Sequence, residues 1–121
     1  MLPTKFAVEG LSLSVLHEVE RFGIKITVVE PSFFRTELVS ARSAKFAEIE
    51  IGDYKNEENP PQMMESIHGR QAGDPDRLGA ALVSIAAMEN PPRFFAAGSD
   101  SLTMIIPEIE ARLTDTKIFE A

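Results

Sequence analysis

Residues 4–38 read TKFAVEGLSLSVLHEVERFGIKITVVEPSFFRTEL. The pattern changes period inside this stretch. Over residues 4–22 Phe6, Leu11, Val15, Val19 and Phe22 recur at spacings of three to five, and Val8 and Leu16 widen the stripe. That is the period of one helix face. Thr4 is the candidate N-cap, and Gly23 stands where a left-handed residue ends a helix. From Ile24 onward, Ile24-Lys25-Ile26-Thr27-Val28-Val29 is mostly β-branched. It alternates at first and then turns wholly apolar, as a strand buried on both faces does. Pro31 has no N–H for a ladder, so the strand is expected to end near Glu30.

Residues 32–73 are less regular. Phe33, Phe34, Leu38 and Val39 predict a partly buried loop or short helix, and Phe46, Ile49 and Ile51 are thinly spread. KNEENPPQ, residues 55–62, is polar and broken by proline, which predicts a mobile loop. A short helix is expected over 61–68. A clearer one starts in GDPDRLGAALVSIAAMENPP, residues 73–92. Asp74 caps it, Pro75 takes the first helical position and Asp76 favours the positive end. Leu78, Leu82 and Ile85 form its apolar stripe, and Asn90-Pro91-Pro92 stops it. RFFAAG, residues 93–98, reads as a strand. A last helix is expected from about residue 100, kinked or divided by Pro107.

The order is helix, strand, loop, helix, strand, helix, an α/β pattern. A strand–helix–strand run with buried strands favours a parallel pair and a right-handed crossover. Two strands make a poor sheet, because their outer edges are unpaired and ITVV is too apolar for an open edge. The pattern therefore reads as one end of a larger α/β layer structure, its remainder absent or supplied by another chain.

Composition narrows the function. The chain has 121 residues, 44% of them hydrophobic and 26% charged, with net charge -7. Such a balance lacks the basic stripe of a nucleic-acid face and the charge that adsorbs to anionic lipid. No apolar run reaches the ~20 residues of a spanning helix, and no secretory signal pattern opens the chain. Cysteine is absent, and His17 and His68 are not spaced as metal ligands. A cytoplasmic protein without a metal site is expected.

The 4–38 stretch resembles the C-terminal half of the short-chain dehydrogenases/reductases. There a helix begins with Tyr-x-x-x-Lys, a strand follows, and a Pro-Gly-x-x-x-Thr turn comes after it. Lys5 matches the motif lysine, and Pro31 to Thr36 match the turn. HGRQAGDPDRLGAALVSIA and FFAAGSD resemble the later helix and last strand. The resemblance implies the C-terminal part of a doubly wound Rossmann-like parallel sheet. Residues 1–121 would be one partial domain and 37–73 its substrate-loop region. Two positions depart from the pattern: Met1 stands at the tyrosine position, and Ser32 replaces the turn glycine. No Gly-x-Gly-x-x-Gly loop occurs. Gly10 and Gly23 lie inside and at the end of the first helix, so they cannot cradle a phosphate.

The resemblance implies hydride transfer between NAD or NADP and an alcohol or carbonyl substrate. Residues i and i+4 share a helix face, so a tyrosine four before Lys5 would share its site. A phenol with a pKa of about 10 needs a nearby cation to exchange protons at neutral pH. Lys5 would supply that charge and bond the nicotinamide ribose. A cation there costs roughly 0.3–1 kcal/mol against the helix dipole, which a functional site tolerates. Pro31, Ser32, Phe33 and Thr36 would meet the cofactor, since ligands of open α/β sheets sit beyond the carboxyl ends of strands. The plainer readings are a solvated Lys5 and a strand-ending turn in which Thr36 caps a short helix. Tyr54 has Glu58, not lysine, four residues on, so it is no displaced catalyst. His68, Arg70, His17 and Glu18 read as surface groups. Alone, the chain is expected to be inactive. The rival reading is a non-catalytic interaction module that pairs with itself through the first helix.

Overall fold

A computed structural model of the chain describes residues 3–40, 42–45, 52 and 60–120. Helix α1 spans Pro3–Val19 and tightens into a 3-10 turn at Glu20–Phe22. Thr4 is therefore inside the helix rather than its cap. Pro3 already takes a helical position, where its fixed φ suits the first turn. Gly23 ends the unit as expected: its φ is 74°, and its N–H donates to the Glu20 carbonyl at 3.0 Å.

Strand β1 spans Val28–Pro31 and pairs in parallel with β2, Phe94–Ala97. β1 starts later than the residue types implied and runs through Pro31 instead of stopping before it. The ladder explains why the proline is tolerated. The N–H groups of Val28 and Ser32 donate to the Arg93 and Ala97 carbonyls, at 2.8 and 3.0 Å. Residues 28, 30 and 32 thus turn their main-chain groups toward β2, and Val29 and Pro31 turn theirs to the open flank. Proline's missing N–H falls on that flank, where no ladder bond is lost.

Among the described residues the sheet has these two strands alone. The crossover between them contains α2, Pro60–Ile67, and α3, Pro75–Ala86. α3 begins as its sequence dictates: the Asp74 carboxylate accepts from the Asp76 N–H at 3.0 Å. Helix α4 spans Ser99–Lys117 and contains Pro107 without a break. Proline removes one intrahelical bond, and α4 is exposed around it, so the freed carbonyl of Thr103 meets water. Of the loop expected over 55–62, residues 60–62 instead open α2; residues 55–59 lie outside the described residues, as do Phe46, Ile49, Ile51 and Tyr54.

The apolar residues buried among those described are Leu16, Val39, Ile85 and Ala97. The expected α1 stripe is split. On a helical wheel Leu13 and Leu16 lie on one side, whereas Val8, Leu11, Val15 and Val19 lie on another. Leu16 lines a cleft of about 100 Å³ with Ile24, Ile26 and Pro91. The second side is largely uncovered, with Val8 61% and Leu11 66% exposed. A helix apolar on two sides needs two partners, and only the side bearing Leu16 is covered.

Candidate functional site

The chain leaving β1 makes a turn that other elements hold in place. Ser32 follows Pro31 directly, and its hydroxyl donates to Asp100 Oδ1 at 2.5 Å. Asp100 lies in the first turn of α4, where a negative charge suits the helix dipole. The Ser32 hydroxyl is the main cause that holds its carboxyl below the usual range. Backbone N–H groups of Asp100, Phe33 and Ser101 act in the same direction, and partial burial opposes them. Gly98 lets this pair form. Its φ is 103°, and a Cβ there would stand 2.6 Å from Ser32 Oγ and 2.9 Å from Asp100 Oδ1. Ser32 itself needs no left-handed backbone, since among the described residues only glycines have positive φ. Serine in place of glycine is therefore unstrained here.

The next residues are clamped from the other side. Phe34 and Gly73 form an isolated parallel bridge. The Gly73 N–H donates to the Phe33 carbonyl at 3.1 Å, and the Arg35 N–H donates to the Gly73 carbonyl at 2.9 Å. A Cβ on Gly73 would lie 2.6 Å from the Phe34 ring, so only glycine admits this approach. The Arg35 guanidinium donates to the Gln71 carbonyl at 3.0 Å and pairs with Asp74 at 3.6 Å. Thr36 caps the 3-10 turn Glu37–Val39, its Oγ1 accepting from the Leu38 N–H at 3.3 Å. Arg35, Thr36, Glu37, His68, Gly69 and Gln71 line an open hollow of about 350 Å³.

The structure places the candidate residues as follows. Pro31, Ser32, Phe33 and Thr36 lie together beyond the carboxyl end of β1. Lys5 is exposed in the first turn of α1 and makes no ion pair or hydrogen bond with another described residue. Met1 lies outside the described residues. His68 and Arg70 are exposed, as are His17 and Glu18, and His68 also lines the hollow. Phe33 is half-exposed rather than core. Sequence reasoning missed Arg35, Gln71 and Asp100. A signal existed for Asp100 alone: an acid in the first turn after Gly98, with a serine in the facing turn. Nothing in residue type marks Arg35 or Gln71, which meet across 36 positions of sequence.

A dinucleotide fits this turn in part. The Ser32 N–H and hydroxyl and the Phe33 carbonyl are occupied within the protein. The Pro31 carbonyl faces the open flank, and the Thr36 hydroxyl proton has no acceptor among the described residues. Those two groups retain capacity for a bound amide or ribose, and Ser32 serves to fix the turn that carries them.

No family model matches the chain, and no solved structure matches it. Curated relatives do. An uncharacterized oxidoreductase of Schizosaccharomyces pombe is 35% identical over 103 residues, 84% of this chain and 35% of that protein. A 3-ketodihydrosphingosine reductase of Bacteroides thetaiotaomicron is 34% identical over 89 residues, 74% of this chain and 33% of that protein. The chain belongs to the short-chain dehydrogenase/reductase family. A shorter match to another dehydrogenase of this family, the 17-beta-hydroxysteroid dehydrogenase type 6 of Mus musculus, is 42% identical over 38 residues, 31% of this chain and 12% of that protein. The chain spans about a third of the length of the two short-chain dehydrogenase/reductase relatives that match most of it. No helix among the described residues is long and apolar enough to cross a membrane.

Proposed function

We propose that the chain forms the C-terminal portion of an NAD(P)-dependent dehydrogenase/reductase of a Rossmann-like, doubly wound fold. The reaction is hydride transfer between the nicotinamide cofactor and an alcohol or carbonyl substrate, in the cytoplasm. The observation that carries this reading is the Pro31–Thr36 turn, fixed just beyond the carboxyl end of a parallel strand, in a chain of this family. Residues 37–73 form the substrate side of the site.

Lys5 acts as a fixed positive charge. It lowers the pKa of a tyrosine phenol placed one helical turn before it, so that the phenol exchanges a proton with the substrate oxygen. The Pro31 carbonyl and Thr36 hydroxyl hold the nicotinamide end, and Ser32 and Phe33 hold the turn. The bound nicotinamide supplies or accepts the hydride. The open flank of β1 and the second side of α1 take the rest of the sheet and its helices. Without that cover the 121-residue chain has no turnover of its own.

The test uses the protein read from the contiguous reading frame that contains residues 1–121. Lys5→Met should lower NAD(P)H-linked kcat by about a hundredfold or more and shift the basic limb of the pH profile upward. Unchanged kcat in a folded Lys5→Met protein would overturn the role given to Lys5.

A second reading is a non-catalytic module that associates with itself through α1. The exposed Val8 and Leu11 favour it. A defined oligomer that melts cooperatively and ignores NAD(P)H would support it.

A further inference from the structure

Asp100 reaches from the first turn of α4 to the exit of β1. An acid placed there only to suit the helix dipole needs no partner across the fold. This one accepts the Ser32 hydroxyl at 2.5 Å, and the N–H groups of Phe33, Asp100 and Ser101 also favour its charged form. Its carboxylate thus acts on two consecutive residues of the turn, 32 and 33. The chain makes room for the contact at Gly98, whose φ is 103° and whose missing Cβ would stand 2.6 Å from Ser32 Oγ.

Ser32 is attached to the fold twice. Its N–H donates to the Ala97 carbonyl at 3.0 Å, and its hydroxyl is held by Asp100. The Pro31–Ser32 peptide is trans, and a trans peptide points its C=O opposite to its N–H. The Pro31 carbonyl therefore points away from β2, and its direction is set by the two attachments of Ser32. The N–H bond lies at the end of the ladder, past the last paired residues Pro31 and Ala97. Bonds at element ends open most readily, so the hydroxyl bond is the one that keeps the plane from swinging. A glycine at position 32, which the family pattern has, would give Asp100 no side chain to hold.

We propose that Asp100 is a positioning residue for the nicotinamide end of the cofactor: through Ser32 it holds the Pro31 carbonyl in the direction in which a bound amide meets it. This rests on the dehydrogenase reading and adds to it a residue that no motif marks. Asp100 does not itself touch the cofactor. A turn ordered before binding loses less freedom on binding, and that difference appears as affinity.

The test uses the protein read from the contiguous reading frame that contains residues 1–121, and measures the Kd of NADPH, or of NADH where the parent takes that nucleotide, by equilibrium fluorescence titration. Asp100→Ala should raise Kd about tenfold, within the range of coupled contacts. In a Ser32→Gly background, where the affinity has already fallen, Asp100→Ala should change it little further. Ile85→Val, at the far end of α3 from Asp74, removes a methyl group from a buried side chain. It should lower the melting temperature and leave Kd within about twofold, which separates positioning from loss of stability. An equal effect of Asp100→Ala in both backgrounds overturns the proposal. So does unchanged affinity in folded Asp100→Ala, and so does an Ile85→Val loss of affinity that matches it. If Asp100→Ala does not fold, Ser32→Ala removes only the hydroxyl, and undiminished affinity there overturns the proposal equally. A folded parent that binds neither NADPH nor NADH overturns the dehydrogenase reading and this proposal with it. A parent that binds, with Asp100→Ala unaltered, overturns this proposal alone.

Discussion

The Ser32 hydroxyl and the Asp100 carboxylate, 68 positions apart in sequence, meet at 2.5 Å. The bond joins the exit of β1 to the start of α4 and fixes the direction in which the Pro31–Thr36 turn leaves the sheet. Ser32→Ala and Asp100→Asn should each lower the melting temperature at pH 7. The double variant should fall hardly further than the worse single one, because both remove the same contact. Thermal melts of the four proteins check this, and full additivity contradicts it.

Asp100 also sets a pH dependence. Its carboxyl is held below its ordinary value of 3.8, first by the Ser32 hydroxyl and then by backbone N–H groups. A carboxyl lowered on folding stabilises the native state above its unfolded pKa, and that stability is lost as pH falls through the folded value. Its contribution is therefore complete at pH 7 and declines below about pH 4. Asp100→Asn should flatten the acid limb of stability against pH and leave its shape above pH 6 unchanged. Urea unfolding from pH 2 to 7 reads both.

Glu30 works in the opposite sense. Partial burial raises its carboxyl above the ordinary 4.5, and the Glu9 carboxylate adds to the rise. The native state then holds this proton more tightly than the unfolded chain. Stability contributed by the protonated form is lost as pH rises from the ordinary value through the raised one. Glu30→Gln should raise the melting temperature at pH 7 and leave it nearly unchanged at pH 4. An equal gain at both values contradicts the assignment.

Gly73 admits the Phe34 bridge only because it has no side chain. A methyl there meets the Phe34 ring at 2.6 Å and the Phe33 carbonyl at 2.8 Å, and the second of these is backbone. Gly73→Ala should cost about 1–3 kcal/mol, in the range of overpacked sites. The loss should come with broadened NMR signals at Arg35 and Gln71. Chemical denaturation and a 15N correlation spectrum test the pair of effects.

Leu11 is 66% exposed on the uncovered side of α1. If that side joins two copies, Leu11→Glu should shift the chain to monomer in sedimentation while its melting falls little. A chain already monomeric before substitution removes the interaction-module reading.

Local chemistry made part of this fold legible in sequence. Asp74-Pro75 starts α3 and Gly23 ends the α1 unit because capping depends on a few adjacent residues. The parallel pairing followed from a helix lying between two strand-like runs. Two expectations failed for reasons outside local pattern. Pro31 joined β1 because its ring falls on the unpaired flank, and phase against β2 is not written in residue type. The α1 apolar residues were read as one stripe, yet only the side bearing Leu16 is buried. In the candidate site, Pro31 to Thr36 were named through a motif. Arg35, Gln71 and Asp100 act through contacts at distances of 36 and 68 positions, which no spacing rule reaches.

The central claim is that residues 1–121 carry the turn and lysine of a dehydrogenase site whose nucleotide-binding half lies outside residues 1–121. Isothermal calorimetry of NADPH into the purified 121-residue chain tests it most directly. The account predicts no saturable heat at micromolar protein. Stoichiometric, tight NADPH binding by this chain alone would contradict it.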